Sequence, residues 1–512
     1  MKLPIGVQDF EKLRLEGYTY VDKTPFIHRL AHGGNTFFLS RPRRFGKSLL
    51  LSTMRAFFEG KRELFHGLAI ERMEQEWTCY PVLYLDLNTG KYTDSEELDE
   101  VLNRHLSAWE KEYGITAASH SLGVRFGDVV QKAYDATGKQ VVVLVDEYDK
   151  PLFQTLNHDD VNKLNRDTLK AFYSVLKSQD RYIRFAFLTG VTKFSKVSIF
   201  SDLNSPEDIT MSSDYSTLCG ITPAEVEHYF AAPVDALAAA YGISHDEAIN
   251  KLRNEYDGYH FADDMADVYN PFSLLNALKS GKVENYWFRT GTPAFLVDTL
   301  QRLDLNIEQL KQSKAKATTL SDVDSYNLTP IPLLYQTGYL TLKSYDRRFN
   351  SYTLGYPNHE VEQSLIEYLL PRYVTTGFLP EFIIDNFVDD IANGRTEQFM
   401  RRLKAFFDGN DYRVAGNMEV YFQNALYLLF RLMGFYTEVE RATSMGRTDV
   451  AVFTERFIYL FEIKLDGSAE QALEQINLKQ YATPYALDSR RIVKVGVNFS
   501  SATRSIERWI VE

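Results

Sequence analysis

The sequence predicts an α/β protein with two sheets, each carrying charged side chains at one edge. A short apolar strand runs through residues 46–48 (GKS) into a helix, and a second apolar run, residues 141–145, ends in Asp146-Glu147. Near the end of the chain, a hairpin pattern carries Asp449 and then residues 462–464 (EIK). Buried parallel strands read as continuous apolar runs, and α/β sheets bind ligands at the carboxyl ends of such strands. The first two patterns therefore predict one sheet with a binding edge, and the third predicts a separate sheet.

The length and composition are those of a soluble protein with several domains. A chain of 512 residues is too long for one hydrophobic core, so we expect two to four domains. The first residues lack the apolar stretch of a signal peptide, and no apolar run is long enough to cross a bilayer. Cys79 and Cys219 form neither a disulfide framework nor a zinc-ligand cluster. We therefore expect a cytoplasmic protein with no membrane partner.

The net charge limits how the protein can meet nucleic acid. It is −12 for the chain, with a pI near 5.5. From residue 411 onward there are 12 basic and 13 acidic residues, which leaves that segment at −1 and the remainder at −11. A broad basic coat is excluded, because such a coat is what binds nucleic acid without selectivity. A local basic groove in the nearly neutral tail is compatible with these values.

Residues 35–58 predict a strand, a loop and a helix that together bind phosphate. The strand is expected at 35–39 and the helix at 48–58. Backbone N–H groups and the helix dipole would face the phosphates, Lys47 would add a point charge, and the Ser48 hydroxyl would bind Mg²⁺. The usual first glycine of such a loop is Arg41 here. The alternative is a basic surface turn before a helix. The predicted nucleotide contacts in the loop are Arg43, Arg44, Phe45, Gly46, Lys47 and Ser48.

The acidic pair after the strand at 141–145 supports the interpretation that the loop binds a nucleotide. Asp146 would hold Mg²⁺ through water, and Glu147 would orient or deprotonate the attacking water. Alone, the pattern also suits an ordinary buried strand that leaves the core at a polar turn. Together with a GKS loop about a hundred residues upstream, it predicts a site for ATP and Mg²⁺.

A third strand is predicted at residues 183–188, followed by the polar stretch 189–192. Thr189 or Thr192 would then lie near the γ-phosphate and sense its presence. A simple turn after a core strand explains the same residues equally well.

The middle of the chain predicts helices and one hairpin. Thr222 and Ser244 have the character of N-caps for two successive helices, which together would form a small helical lid. Residues 330–370 read as a helix, a hairpin turning at 346–350, and a second helix, the order of a winged-helix module. Such a module either binds DNA or serves as a packing element.

The tail predicts a helix, three strands, a helix and a strand. The first helix is expected at 417–434, the strands at 435–441 and on either side of a turn at 454–456, the second helix from Ser468, and a further strand at 491–499. Asp449 lies early on the second strand. Because side chains alternate along a strand, Glu462 and Lys464 share a face of the third.

That arrangement suits phosphodiester hydrolysis. Asp449 and Glu462 would share Mg²⁺, which lowers the pKa of a bound water and neutralises the scissile phosphate. Lys464 would orient the water or stabilise developing charge. The alternative is a solvent-exposed Glu/Lys pair on an ordinary strand.

Five segments in this order resemble one bacterial family: YVDKT (20–24), RPRRFGKSLL (41–50), LVDEYDKP (144–151), LTGVTKFS (188–195) and YDGYHF (256–261). They are similar to AAA-ATPase-like proteins whose C-terminal part is a PD-(D/E)XK nuclease-like domain. The resemblance spans nearly the whole chain. It implies ATP binding in an N-terminal P-loop domain, makes Arg41 a family trait, and implies polar residues such as Gln475 and Tyr481 after the nuclease hairpin.

The predicted organisation has four parts: an AAA-type P-loop core (1–215), a helical lid (216–310), a winged-helix-like connector (311–410) and a restriction-endonuclease-like domain (411–512). We expect an ATPase coupled to a metal-dependent nuclease, with DNA the favoured substrate and a homo-oligomer possible. The catalytic residues would be Glu147, Asp449, Glu462 and Lys464, and the metal ligands Ser48, Asp146, Asp449 and Glu462. One alternative is an ATP-dependent switch whose tail binds nucleic acid or protein without cutting. Another is a scaffold with a vestigial loop.

Overall fold

In the computed structural model, the chain forms two compact units. The first unit comprises Met1–Thr292 and Lys311–Val361, and the second Pro293–Leu310 and Glu362–Glu512. The structure describes residues 1–116, 119–194, 206–288, 310, 313–321, 323, 330–373, 380–408, 418–434, 438–441 and 450–512. Within these ranges no helix has both the length and the apolar character that crossing a bilayer requires. The predicted boundaries at residues 215, 310 and 410 stay predictions.

The first unit contains a five-stranded sheet whose neighbouring strands are all parallel, in the order β2-β3-β4-β1-β5. Its strands are β1 (Thr36–Ser40), β2 (Val82–Asp86), β3 (Val141–Asp146), β4 (Ile183–Gly190) and β5 (Glu207–Asp208). Every residue of β3 is buried, which is why its sequence is an unbroken apolar run up to its last residue. The predicted parallel α/β core is confirmed, with three strands close to their predicted positions.

Nine helices accompany this sheet in the described part of the first 194 residues. They are α1 (Phe10–Leu15), α2 (Thr24–Gly33), α3 (Lys47–Phe58), α4 (Ile70–Met73), α5 (Ser95–Glu112), α6 (Leu122–Thr137), α7 (Lys150–Phe153), α8 (Asp159–Tyr173) and α9 (Val175–Ser178). Helix α3 follows β1 directly after the GKS loop and buries one side of its length, including Leu51 and Met54. The predicted strand–loop–helix order is therefore present.

Three further helices form an apolar cluster of their own. They are α10 (Pro223–Tyr241), α11 (His245–Tyr256) and α12 (Pro271–Ser280). Thr222 and Ser244 are the N-caps of α10 and α11, each in a capping box with a glutamate three residues on. Both predicted caps are confirmed. The role of the cluster as a lid stays a prediction.

A small three-stranded sheet follows, in the order β6-β8-β7. Its strands are β6 (Lys314–Ala315), β7 (Thr341–Asp346) and β8 (Ser351–Gly355), and the nearby helices are α13 (Ala317–Leu320), α14 (Pro330–Thr337) and α15 (His359–Tyr373). The predicted helix, hairpin and helix are present, and the hairpin turns at residues 347–350. Assignment as a winged helix stays a prediction.

The second unit contains a five-stranded mixed sheet in the order β13-β12-β11-β10-β9. Its strands are β9 (Glu438–Arg441), β10 (Val450–Phe453), β11 (Phe457–Leu465), β12 (Arg491–Ser500) and β13 (Ser505–Val511), and its helices are α16 (Pro380–Ala392), α17 (Thr396–Asp408), α18 (Met418–Met433) and α19 (Ala469–Leu478). The predicted αβββαβ order is present from α18 to β12. The structure adds β13, an antiparallel edge strand that the sequence analysis did not predict.

Arg41, the residue in place of the usual first glycine, is one of the largest fully buried side chains of the first unit. Its guanidinium donates to the carbonyl oxygens of Ser40 (2.9 Å), Thr210 (2.7 Å) and Tyr215 (3.2 Å). It also lies 4.1 Å from the ring centroid of Phe261. Arg41 thus ties the end of β1 to the segment that follows β5, and it acts as a structural brace.

We expect Arg41→Ala to destabilise the first unit. The substitution leaves three buried or partly buried carbonyl oxygens without their donor and opens a cavity, so the free energy of unfolding should fall by about 3 kcal/mol. Thermal unfolding followed by circular dichroism measures this. Arg43→Ala, two residues along the same loop, is the matched control. Equal melting temperatures for the two variants would contradict the bracing role.

Candidate functional site

A cavity of about 500 Å³ lies at the carboxyl edge of the first sheet. That volume is within the range of small-molecule sites. One wall is the loop from Arg43 to Ser48, and another is formed by Glu147, Asp149 and Lys150, which follow β3. The remaining walls are largely apolar, and include Ile5, Val7, Tyr20, Val21, Ile221, Phe272 and Leu275. The cavity therefore combines charged groups at one side with an apolar surface.

The loop that enters α3 has a conformation suited to anions. Arg44 and Gly46 have positive φ angles, 70° and 91°. Gly46 is the N-cap of α3, and no side chain among the described residues caps that helix end. The first N–H groups of an uncapped helix lack intrahelical partners and carry the positive end of the helix dipole. The amino end of α3 is therefore an anion-binding element in the cavity wall.

Lys47 is buried and held inside the loop. Its Nζ donates to the carbonyl oxygens of Arg41 (3.0 Å) and Pro42 (3.2 Å), and lies 3.6 Å from Oε1 of Glu147. A buried ammonium so placed keeps its position relative to the loop while presenting its charge to the cavity. Glu147, with a φ of 53°, lies where the chain turns sharply after β3. The structure thus brings Lys47 and Glu147 together. The sequence analysis predicted that both residues would lie near bound ATP.

Asp146 lies at the end of β3, close to the Ser48 side chain. Its Oδ2 accepts from the Tyr84 hydroxyl (3.3 Å), while its buried Oδ1 has no hydrogen-bond partner among the described residues. Burial, and then the charge of Glu147, raise the pKa of Asp146 to about 6. Mg²⁺ prefers oxygen ligands, and a buried carboxylate oxygen beside a hydroxyl is such a donor set. The residues present therefore fit a magnesium ion.

The two candidate γ-phosphate sensors make other contacts. Thr189 is fully buried, its hydroxyl donates to the carbonyl of Leu39 (2.8 Å) within the sheet, and it is not part of the cavity wall. The Thr192 hydroxyl donates to Oδ2 of Asp149 (2.6 Å), which also accepts from the Thr192 backbone N–H (2.6 Å). Asp149 itself lines the cavity, and burial raises its pKa to about 6. Sequence reasoning missed Asp149, although its place three residues after Asp146 was a signal.

Phe45 anchors the loop to the turn at residues 256–261. Its ring packs edge-on against Tyr259 (4.8 Å between centroids) and Phe261 (5.4 Å). The guanidinium groups of Arg43 and Arg44 lie over Phe153 (5.4 Å) and Phe272 (4.8 Å). The aromatic contacts of Phe45 therefore pack the loop against the turn at residues 256–261.

A second polar cluster lies in the second unit. Glu462, on β11, is 2% exposed, and its Oε1 accepts from Nζ of Lys464 (3.1 Å) and from the Gln475 amide. Lys464 also donates to Oε1 of Gln475 (2.7 Å), whose amide donates to the Tyr481 hydroxyl (3.3 Å). Glu462 and Lys464 thus share a face, as strand alternation predicted. Asp449 lies outside the described residues; Val450, the next residue, pairs with Phe461, the residue before Glu462.

Gly496 allows the helix that carries Gln475 to approach the sheet closely. It pairs with Glu462 across β11 and β12. A Cβ atom at this position would lie 2.7 Å from the backbone nitrogen of Leu473 in α19. Only glycine permits this separation, and the short separation is what brings Gln475 over Glu462 and Lys464.

Comparison with known proteins finds a family model for each of two regions of the chain. Residues 4–200 match a family model described as "Predicted AAA-ATPase", and residues 417–509 match one described as "PD-(D/E)XK nuclease superfamily". The chain is 38% identical, over 525 residues, to an "Uncharacterized protein in vnfD 5'region" of Azotobacter chroococcum mcd 1; the match covers 100% of this chain and 99% of that protein. The chain belongs to the AAA-ATPase-like family with a C-terminal PD-(D/E)XK nuclease superfamily domain. The charged walls of the cavity lie within residues 4–200, residues between 218 and 275 complete its apolar walls, and the Glu462 cluster lies within residues 417–509.

We expect Asp146→Asn to stabilise the protein when neither Mg²⁺ nor nucleotide is present. Because the pKa of Asp146 is raised, the folded protein keeps a proton that the unfolded chain releases between about pH 4 and pH 6, so the free energy of unfolding falls as pH rises through that interval. The neutral asparagine escapes this loss, which amounts to about 3 kcal/mol at pH 7.5. Thermal melts of parent and variant at pH 4 and pH 7.5 measure the difference.

Asp135→Asn, at an exposed position of α6, is the control for removing a carboxylate without changing a buried site. The gain from Asp146→Asn should disappear near pH 4. A gain of the same size at both pH values would show that it does not arise from the ionisation of Asp146.

Proposed function

We propose that the cavity binds Mg-ATP and hydrolyses it. The observation that carries this proposal is the ion pair between Lys47, at the start of α3, and Glu147, which follows β3, with Nζ and Oε1 3.6 Å apart. Two chain segments about a hundred residues apart meet there, and between them they provide an anion-binding helix end, a lysine and an acidic pair. Neither a surface turn nor a vestigial loop requires this combination.

Each group has a role that follows from its chemistry. The amino end of α3 and Lys47 bind the β- and γ-phosphates, and Arg43 and Arg44 add positive charge beside them. Ser48 and Asp146 would hold Mg²⁺, which neutralises phosphate charge. Glu147 orients the attacking water or accepts its proton. We assign the sensing of the γ-phosphate to Asp149, which lines the cavity and accepts from Thr192.

The apolar walls suit the base of the nucleotide. Val21, Ile221 and Phe272 line the cavity together with Tyr20. Burial of an aromatic base against such side chains is favourable because it removes apolar surface from water. The same walls give no reason to bind a small inorganic anion, so a nucleotide is the ligand that uses the whole cavity.

We expect Lys47→Ala to abolish the rise in melting temperature that ATP and Mg²⁺ produce in the parent, because a ligand stabilises only the state that binds it.

We expect Glu147→Gln to keep that rise and to hydrolyse ATP at least about 100-fold more slowly, because glutamine retains the size and hydrogen bonding of glutamate but is not a base. Differential scanning fluorimetry and phosphate release measure the two effects.

Lys61→Ala is the matched control for Lys47→Ala, because Lys61 pairs with Glu11 and Glu59 outside the cavity wall. An unchanged ATP shift in Lys47→Ala would place the nucleotide elsewhere. Equal turnover in Glu147→Gln and the parent would remove Glu147 from the mechanism.

We also propose that the second unit cleaves nucleic acid phosphodiesters, with DNA as the substrate. The cluster of Glu462, Lys464 and Gln475 supports this, because a buried carboxylate held beside an ammonium is part of the donor set such chemistry needs. Asp449 and Glu462 would hold Mg²⁺, and Lys464 would stabilise charge developing on the attacked phosphate. The alternative, an ATP-dependent switch whose tail binds without cutting, uses the same surface.

Cleavage of plasmid and single-stranded DNA and of RNA, with Mg²⁺ or Mn²⁺ and with or without ATP, distinguishes these functions. We expect Asp449→Ala and Glu462→Ala each to abolish metal-dependent cleavage and to leave the ATP-induced melting shift intact. Lys464→Ala should lose cleavage and keep metal binding.

Lys494→Ala is the control for Lys464→Ala, because Lys494 lies on the same sheet but pairs with Glu512 and Asn477. Binding of DNA by the parent with no cleavage under any of these conditions would favour the switch. A homo-oligomer and a cytoplasmic location remain proposals that sedimentation and cell fractionation would test.

A further inference from the structure

A group of three metal-ligand side chains lies in the first unit, outside the ATP cavity. His28 and His32 are one turn apart on α2, and Glu74 directly follows α4. One ligand atom from each of the three lies within 4.8 Å of the others. Nε2 of His32 is 3.5 Å from Oε2 of Glu74, and the two imidazole rings are 4.3 Å apart. The H-x-x-x-H spacing of residues 28–32 is a signal in the sequence that sequence reasoning missed.

Backbone groups hold the atoms of His32 and Glu74 that do not face the centre of the group. Nδ1 of His32 hydrogen-bonds the carbonyl of His28 (2.9 Å). Oε1 of Glu74 accepts from the N–H groups of Gln75 and Glu76, both at 2.9 Å. Metal-binding histidines and carboxylates are oriented in this way, by a second hydrogen bond that fixes the tautomer and the ring.

The spacing of the three atoms agrees with a small tetrahedral ion. Ligand atoms about 2.1 Å from Zn²⁺ in a tetrahedron are about 3.4 Å apart. Nε2 of His32 and Oε2 of Glu74 are 3.5 Å apart, close to this value. The ligand atoms of all three residues lie within 4.8 Å of one another.

We propose that His28, His32 and Glu74 bind one Zn²⁺ or a similar transition-metal ion, with water in the fourth position. Imidazole ligands select such an ion over Mg²⁺, which both other proposed sites would take. The ion links the last turns of α2 to the segment after α4. Helix α2 begins directly after Lys23, a residue of the ATP cavity wall, and precedes β1. The metal therefore stabilises the helix that connects the cavity wall to the first strand.

The test is a zinc titration of chelator-treated full-length protein against a chromophoric competitor, with millimolar Mg²⁺ present to occupy oxygen-ligand sites. The parent should bind one Zn²⁺ that His28→Ala and His32→Ala each lose, with apparent affinity at least about 100-fold weaker. Glu74→Gln should weaken binding without removing it. Co²⁺ bound to the parent should give visible absorption bands that the histidine variants lack.

His66→Ala is the matched control, because His66 is also exposed and paired with a glutamate, Glu71 at 3.2 Å, but has no second histidine beside it. It should bind zinc like the parent. His32→Gln provides a variant at a half-exposed position that keeps the fold, checked by an unchanged melting temperature without metal. Equal zinc stoichiometry and affinity in the parent, His28→Ala, His32→Ala and His32→Gln would overturn the proposal.

Discussion

The parallel pairing of β1, β3 and β4 is the constraint on which the candidate ATP site depends. Ser40 pairs with Gly190, and Val145 pairs with Leu188, so all three strands end at one edge. Parallel strands can only be joined through long crossovers. Each crossover here returns the chain to the amino edge of the sheet, so that the next strand again ends at the carboxyl edge. The loop at 41–46, the acidic turn at 146–149 and the polar turn at 189–192 meet because of that register, although they are far apart in sequence.

The edge created by this pairing concentrates buried charge. Arg41, Lys47, Asp146 and Asp149 are each less than 5% exposed, yet only some of their partners are charged. Arg41 is neutralised by carbonyl dipoles, and Asp149 by N–H groups and a hydroxyl of residues 191 and 192. Arg41 has one guanidinium nitrogen, Nε, and Asp146 has one buried carboxylate oxygen, Oδ1, that lack a hydrogen-bond partner among the described residues. Such a carboxylate lowers stability, and its retention is understandable if a cation completes its surroundings.

Local sequence signals predicted much of this protein because they depend on neighbouring residues. The apolar run of β3, the N-caps Thr222 and Ser244, and the shared face of Glu462 and Lys464 all follow from periodicity or capping chemistry. The burial of Arg41 and the contact of Thr189 with Leu39 did not follow, because each depends on a partner brought close only by tertiary packing. β13 was missed because an edge strand is partly exposed and carries a weaker apolar pattern.

Gly496 provides a marker for comparing relatives of this protein. Its missing side chain leaves room for the backbone of α19, so any larger residue there requires the helix to move outward. An outward shift would withdraw Gln475 from Glu462 and Lys464, whatever residues those three positions still carry. Relatives that retain the acidic and basic residues but have lost this glycine would therefore have a rearranged cluster. A position without a functional group can thus distinguish two kinds of homologue. In one kind the polar cluster is assembled; in the other the same residue types are present but the side chains do not meet.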